Sequence, residues 1–319
     1  MGNESWDQVK RKKRIRNILL ILLALLLLAG AGYGGYRYYL RWKEKKQEKN
    51  YEDLRERAFV TGTPTPTLTP EEIVKTTATP TPTHAPTAEE MLWAALYERY
   101  EEFFTIQPNF TILDAENEDI FAYISVPGTK VDYPILASEI EDYYLDYNID
   151  HTKGYPGCLY IQNCNSTSLE DKFVIVYGHN MRDGTMFGSL QSYNDPAFIE
   201  EHPYFFVYQA RRVMVYEIVV VSHVGTEHLL SDDYVKVNGA WQFDKFDGYE
   251  TARLLERVRK DDGNRCYIAS PEPTDEDHMM VLSTCGEGKR FIVVGKRVLD
   301  IPTDRGLPMP TKTGGNAGE

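Results

Sequence analysis

Cysteine is scarce in this chain, four residues in 319, too few for a scaffold built on disulfides. Cys158 and Cys164 lie six positions apart. In an extended run their α-carbons would stand ~20 Å from each other, beyond bridging range, and only an irregular turn could bring them together. Cysteine usage therefore says little about the redox compartment. Histidine is also sparse, and His84, His151, His202, His223, His228 and His278 show no close paired spacing. No zinc site is expected, nor any other metal or cofactor. No internal repeat is present. A basic surface is missing from most of the chain: residues 1–60 hold 14 Lys/Arg against 7 Asp/Glu, whereas residues 61–319 hold 21 against 41. A body carrying that net negative charge would repel phosphates, which excludes nucleic acid as a partner.

Charge is absent altogether from Asn17 to Tyr36, 20 residues dominated by Leu and Ile. That length spans a bilayer as a helix. Six basic residues between Lys10 and Arg16 precede it and five from Arg37 to Lys46 follow, so the positive-inside rule favours a cytoplasmic N-terminus by a small margin. Tyr33, Tyr36, Tyr38, Tyr39 and Trp42 would form the interfacial aromatic belt. Ala29-Gly30-Ala31 fits a signal-peptidase pattern, but the long apolar core with basic flanks on both sides favours a retained anchor. The expected order is a cytoplasmic basic head (1–16), a transmembrane anchor (17–36), a juxtamembrane segment (37–60) and a Thr/Pro-rich linker (61–87). A folded domain (88–302) and a polar tail (303–319) complete it. Thr-Pro repeats favour extended polyproline II, which suits a spacer.

Apolar periodicity at Met91, Ala94, Leu96, Tyr100 and Phe103/Phe104 predicts a helix over 88–104, and Ala252, Leu255 and Val258 predict another over 249–260. Between and after them run short β-type segments at 121–126, 158–161, 173–177, 204–208, 213–222, 279–283 and 291–299. Many short strands with few helices indicate a mainly β fold, a barrel or sandwich decorated by helices.

Two segments carry chemistry. In Leu282-Ser283-Thr284-Cys285, a strand ends at a thiol, and a four-residue loop, Gly286–Lys289, leads to Arg290 on the next strand. A hairpin would set the guanidinium beside the thiol, where a permanent cation favours thiolate. A cysteine at a strand end is ordinarily a small buried hydrophobe, but the polar, Gly-rich exit argues against burial here. The second segment, Val174-Ile175-Val176-Tyr177-Gly178-His179-Asn180, delivers His179 on a turn after an apolar strand. Cys, His and Arg supply a nucleophile, a proton carrier and an oxyanion donor, the minimum for acyl transfer. Arg297 competes with Arg290 for the last role. An odd separation points the two to opposite strand faces, and Arg297 is expected to face solvent.

These segments resemble the sortase family, and class B most closely. The resemblance rests on the Leu-x-Thr-Cys strand end with Arg290 downstream, on Tyr177-Gly178-His179-Asn180, and on Gly184-Thr185-Met186-Phe187-Gly188-Ser189-Leu190. Pro127-Gly128-Thr129, Asp132-Tyr133-Pro134-Ile135 and Tyr143-Tyr144-Leu145 add to it. It implies an eight-stranded β-barrel with an N-terminal helix and one helix between late strands, preceded by the single transmembrane helix. It also implies a cysteine transpeptidase on the surface of a Gram-positive cell, with the catalytic domain outside. Carried over by position, Cys285 is the nucleophile, His179 the proton donor and Arg290 the oxyanion or substrate-orienting residue; Leu145, Tyr177, Ser283 and Thr284 line the substrate groove. The implied partners are surface proteins bearing a C-terminal sorting motif and a peptidoglycan precursor or cross-bridge amine. The chain departs from the family in having Tyr123 where Trp is usual, Ile140-Glu141 where Asp-Asn is usual, and a shorter Cys-to-Arg loop. A papain-like wall hydrolase is the rival enzyme, although such enzymes commonly place Cys before His. A non-enzymatic stalked surface protein is the rival without chemistry.

Overall fold

The computed structural model describes residues 6–59, 87–226, 229, 234–237, 240–243, 248–286 and 288–303. Two compact units emerge, Met1–Asn50 and Tyr51–Glu319. The Thr/Pro-rich linker, apart from Thr87, and the polar tail beyond Thr303 lie outside the described residues, as does His84.

The first helix, α1 (Trp6–Ala58), is continuous through the predicted span and well past it. Its Lys10–Ala58 portion is long and apolar enough to cross a membrane. The last two turns of α1 belong to the second unit. Tyr51, Leu54 and Ala58 are buried there. The Tyr51 hydroxyl donates to the Gly157 carbonyl at 2.9 Å, and Asn109 N–H donates to the Ala58 carbonyl at 2.9 Å. Arg55 Nε pairs with Asp132 at 2.9 Å. The compact unit therefore opens at Tyr51, upstream of the expected boundary at residue 88. The heavily charged stretch between Trp42 and Ala58 hides the three positions that pack.

Helix α2 (Ala88–Thr105) begins with a capping box: Thr87 Oγ1 accepts from Glu90 N–H, and the Glu90 carboxylate accepts from Thr87 N–H. Its buried residues are Trp93, Leu96, Tyr100 and Phe104; the expected Met91 faces out, and Trp93 takes the inward position instead. Phe103 stacks on Phe206 with ring centroids 4.6 Å apart, which seats the helix on the sheet. A short α3 (Phe110–Glu116), unforeseen in the sequence, follows with Asn109 as its cap.

The strands are β1 (Ile120–Ser125), β2 (Asp132–Leu136), β3 (Leu159–Ile161), β4 (Phe173–Tyr177), β5 (Tyr204–Gln209), β6 (Arg212–Val224), β7 (Tyr234–Val237), β8 (Ala240–Phe243), β9 (Tyr267–Ile268), β10 (Met279–Gly286) and β11 (Lys289–Pro302). Their order is β11-β10-β4-β3-β2-β1-β5-β6, and β11 pairs again with β6, which closes an eight-stranded barrel. Closure leaves no open edge among those eight strands. The two-residue β9 adds to β6 outside the ring, and β7–β8 form a separate hairpin. β2 covers the Asp132-Tyr133-Pro134-Ile135 motif and lies outside the segments expected as strands. Pro134 breaks its apolar pattern, yet as a residue without an N–H it still fits opposite Tyr123.

Most pairs are antiparallel, but β4 runs parallel to β10 over Phe173–Tyr177 and Met279–Ser283. All five β4 side chains are buried, as expected of a strand covered on both faces. At Gly295 the β11–β6 register shifts, and any Cβ there would collide with the Phe205 ring, itself stacked on Tyr216. The late helix α6 (Glu250–Asp261, after the short α4, Tyr143–Asp146, and α5, Pro196–Glu201) buries Leu254, Leu255 and Val258, while the expected Ala252 is exposed. At its C-terminal end, the Asp262 carboxylate accepts from Ser222 Oγ and His223 N–H on β6.

Candidate active site

Two parallel strands deliver the central pair. In the β4–β10 ladder, Tyr177 lies opposite Ser283. Two residues further along each chain come His179 and Cys285, so both leave the barrel at the same end and level. Gly178 makes the passage possible: its N–H donates to the Ser283 carbonyl at 3.2 Å, and a Cβ there would overlap Leu159 and Phe187.

Arg290 is fixed by the neighbouring antiparallel ladder, where Cys285 pairs directly with it. Residues opposed across such a ladder have Cβ atoms about 5 Å apart on one face. The hairpin is tighter than its predicted four-residue loop. Pairing continues to Gly286 opposite Lys289, so only two residues connect the strands, with Gly288 at φ +77°. A two-residue turn demands that left-handed geometry. Lys289 Nζ donates to the Asp261 carbonyl at 2.9 Å, tying the hairpin to the end of α6.

The Arg290 guanidinium lies 5.4 Å from the centroid of the Tyr177 ring, close enough for a cation–π contact that holds it over β4. Tyr177 in turn packs against Tyr160, whose hydroxyl donates to Asp142 Oδ1 at 2.7 Å. Burial and the Asp142 carboxylate both push the Tyr160 phenol upward, so it remains a donor. Arg290 Nε is buried without a hydrogen-bond partner, as are Ser283 Oγ and Thr284 Oγ1. Ser283 shares a strand face with Cys285, whereas Thr284 points to the opposite one. Of the four expected groove residues, Ser283 and Tyr177 thus adjoin the Cys–Arg pair. Thr284 is buried on the far face of its strand.

The fourth expected groove residue, Leu145, meets His179 through its backbone. His179 Nε2 lies 3.0 Å from the Leu145 carbonyl, and a carbonyl accepts only from a protonated ring nitrogen. A ring proton on Nε2 satisfies that contact. The Leu145 side chain is 36% exposed and available to a ligand. Two neighbours had no role assigned from sequence. The Tyr155 ring, 42% exposed, packs 4.7 Å from the His179 ring. Asn180 Nδ2 donates to the Cys285 carbonyl at 2.6 Å. Asn180 sat in the recognised motif; Tyr155, 24 positions upstream in a connecting loop, carried no signal.

Cys285 is exposed and all four cysteines are free thiols. Cys158 and Cys164 flank the extended β3, which keeps them apart, and burial pushes each thiol up to about 12. Arg297, expected to face solvent, does not: its side chain is only 10% exposed and pairs with Glu170 at 3.5 Å and Asp300 at 3.4 Å. Arg212 joins the same carboxylates. This cluster lies seven residues along β11 from Arg290, far from Cys285. Among the described residues, no group of three or more His, Cys, Asp or Glu is placed to hold a metal ion.

Comparison with known proteins agrees with this architecture. Residues 124–298 match the sortase domain family. Sortase B of Listeria monocytogenes is 30% identical over 187 residues, which cover 57% of this chain and 71% of that protein. Sortase B of Staphylococcus aureus is 26% identical over 196 residues, 60% of this chain and 75% of the relative. The solved Staphylococcus aureus sortase B–substrate complex shares the fold, with a TM-score of 0.53 at 20% identity over 80% of this chain and 98% of that one. An eight-stranded barrel with these matches defines a sortase. The chain belongs to the sortase family, in its class B branch.

Proposed function

We propose that this protein is a membrane-anchored thiol transpeptidase with Cys285 as nucleophile, His179 as proton carrier and Arg290 as oxyanion donor. The observation that carries the reading is the pairing of exposed Cys285 with Arg290 across one ladder, with His179 two residues past the end of the neighbouring β4 at the same barrel end. In the first half-reaction the Cys285 thiolate attacks a backbone carbonyl of a sorting motif. Arg290 stabilises the charge developing on the carbonyl oxygen. The C–N bond breaks, His179 gives its proton to the leaving amine, and a thioester remains. In the second, an amine of peptidoglycan attacks the thioester, His179 takes the surplus proton, and the thiolate departs from a new amide. Leu145, Tyr177 and Ser283 are the proposed substrate contacts, Ser283 on the face of β10 that carries Cys285, whereas Thr284, buried on the opposite face, is assigned to packing.

The anchor is the apolar part of α1, with its N-terminus in the cytoplasm and the barrel outside. The partners are surface proteins with a C-terminal sorting motif and a cell-wall amine. The test is transfer of labelled sorting peptides to an amine acceptor by the wild type and by Cys285→Ala. A new amide that disappears in the variant supports the proposal. Release of acid alone, at every amine concentration, would identify a hydrolase instead.

A further inference from the structure

Asn180 follows His179 directly, and its side chain crosses to the other half of the site. The backbone at this point is held from several sides. Phe187 N–H donates to the His179 carbonyl at 3.0 Å, and Asn180 forms a β-bridge with Met186, closing the turn between them. Gly184 takes φ +83° in that turn, and Asp183 accepts from both Thr185 N–H and Thr185 Oγ1. Lys130 Nζ and Lys130 N–H bind this segment from outside, to the Asp183 carbonyl and Ser189 Oγ. From this fixed base, Asn180 Nδ2 donates to the Cys285 carbonyl at 2.6 Å. The regular β4–β10 pairing has already ended at Tyr177 and Ser283, and the Gly178 N–H to Ser283 carbonyl bond is the last backbone link.

We propose that Asn180 is a positioning residue: its amide donor extends the β4–β10 ladder by one side-chain rung and holds Cys285 level with His179. The peptide unit is planar, so a clamped carbonyl fixes the Cys285 backbone and with it the origin of the Cβ–Sγ bond. Arg290 sits on the other side of the same residue. Cys285 is thus held between its β11 partner and the loop that carries His179. The role requires a donor, and shape alone does not fulfil it. Aspartate, of the same shape, presents oxygen lone pairs to a carbonyl oxygen.

The inference rests on the catalytic reading, but its deciding measurement needs neither peptide nor amine. Cys285 alkylation by iodoacetamide is measured near neutral pH in the full-length protein, with and without His179→Ala, in the Asn180, Asn180→Ala and Asn180→Asp backgrounds. Unfolding midpoints are recorded alongside. If Asn180 holds the pair together, His179→Ala changes the alkylation rate in the wild type, and that ratio collapses toward one in the aspartate background. In peptide transfer, Asn180→Asp loses about tenfold in kcat with KM little changed, a size typical of one hydrogen bond. Should Asn180→Ala fail to fold, the isosteric aspartate decides alone. A ratio unchanged by Asn180→Asp overturns the proposal, as does the absence of any His179 effect in the wild type. Wild-type enzyme that alkylates as expected but transfers to no amine would sink the transpeptidase reading and leave the role of Asn180 standing.

Discussion

Cys285 and Cys158 are thiols in opposite settings, and they should react accordingly. Cys285 is exposed, whereas Cys158 is buried and its thiol is pushed up to about 12, chiefly by loss of solvent. Mass spectrometry after brief alkylation near pH 8 should find Cys285 labelled and Cys158 intact; early labelling of Cys158 would contradict its burial. The same burial has a sign in stability. The folded value lies above the unfolded one of about 8.5, so the contribution is complete below that pH and is lost as pH rises toward 12. Unfolding free energies from urea melts of Cys158→Ala should therefore fall less steeply between pH 9 and 11 than those of the wild type, by on the order of 1 kcal/mol per pH unit. The two arginines separate in another way. Arg290→Lys should lose on the order of a hundredfold in transfer rate while folding normally, because an ammonium cannot reproduce the planar fork. Arg297→Ala should lower the melting temperature through its ion-pair cluster yet keep near-normal transfer per folded molecule. A dead but folded Arg297→Ala would overturn the assignment of the arginine role. The placement of Cys285 and His179 at one end of the barrel was legible, since each follows an apolar strand. Tyr155 and the paired state of Arg297 were not, since both depend on segments remote in sequence.

At the level of elements, apolar strands such as Phe173–Tyr177 announced themselves by composition alone. Their ends did not. β6 and β11 each run past their apolar cores into charged residues, because barrel closure supplies partners to both along their full length. The Cys-to-Arg hairpin was read in the right place but one ladder pair too short, and a single glycine at positive φ accounts for the difference. The least legible element is the end of α1, three apolar side chains among Lys, Arg, Asp and Glu. Leu54→Ala should destabilise the barrel unit by about 2–5 kcal/mol, the usual range for a core leucine. A fragment covering residues 51–303 should likewise melt well above one covering 88–303. Equal melting temperatures would mean that Tyr51, Leu54 and Ala58 contribute nothing to the fold.

For the molecule as a whole, the basic cluster before the apolar run leads to an expected outcome in cells. Protease added to intact protoplasts should remove the barrel unit, and protection of that unit would show the topology to be reversed. Under the proposed anchoring, attachment depends on the order of the packed segments. Tyr51–Ala58 and α2 are both built into the barrel unit, and residues 60–86 join them in sequence. The end of α1 is thus a tethered ligand of the barrel, held at an effective concentration set by the connecting residues rather than by the protein's own concentration. A specific protease site introduced between residues 65 and 80 would abolish that advantage in one cut. The few side chains docked by α1 would then bind as an ordinary peptide, and the barrel would wash off the membrane on dilution, faster with Leu54→Ala.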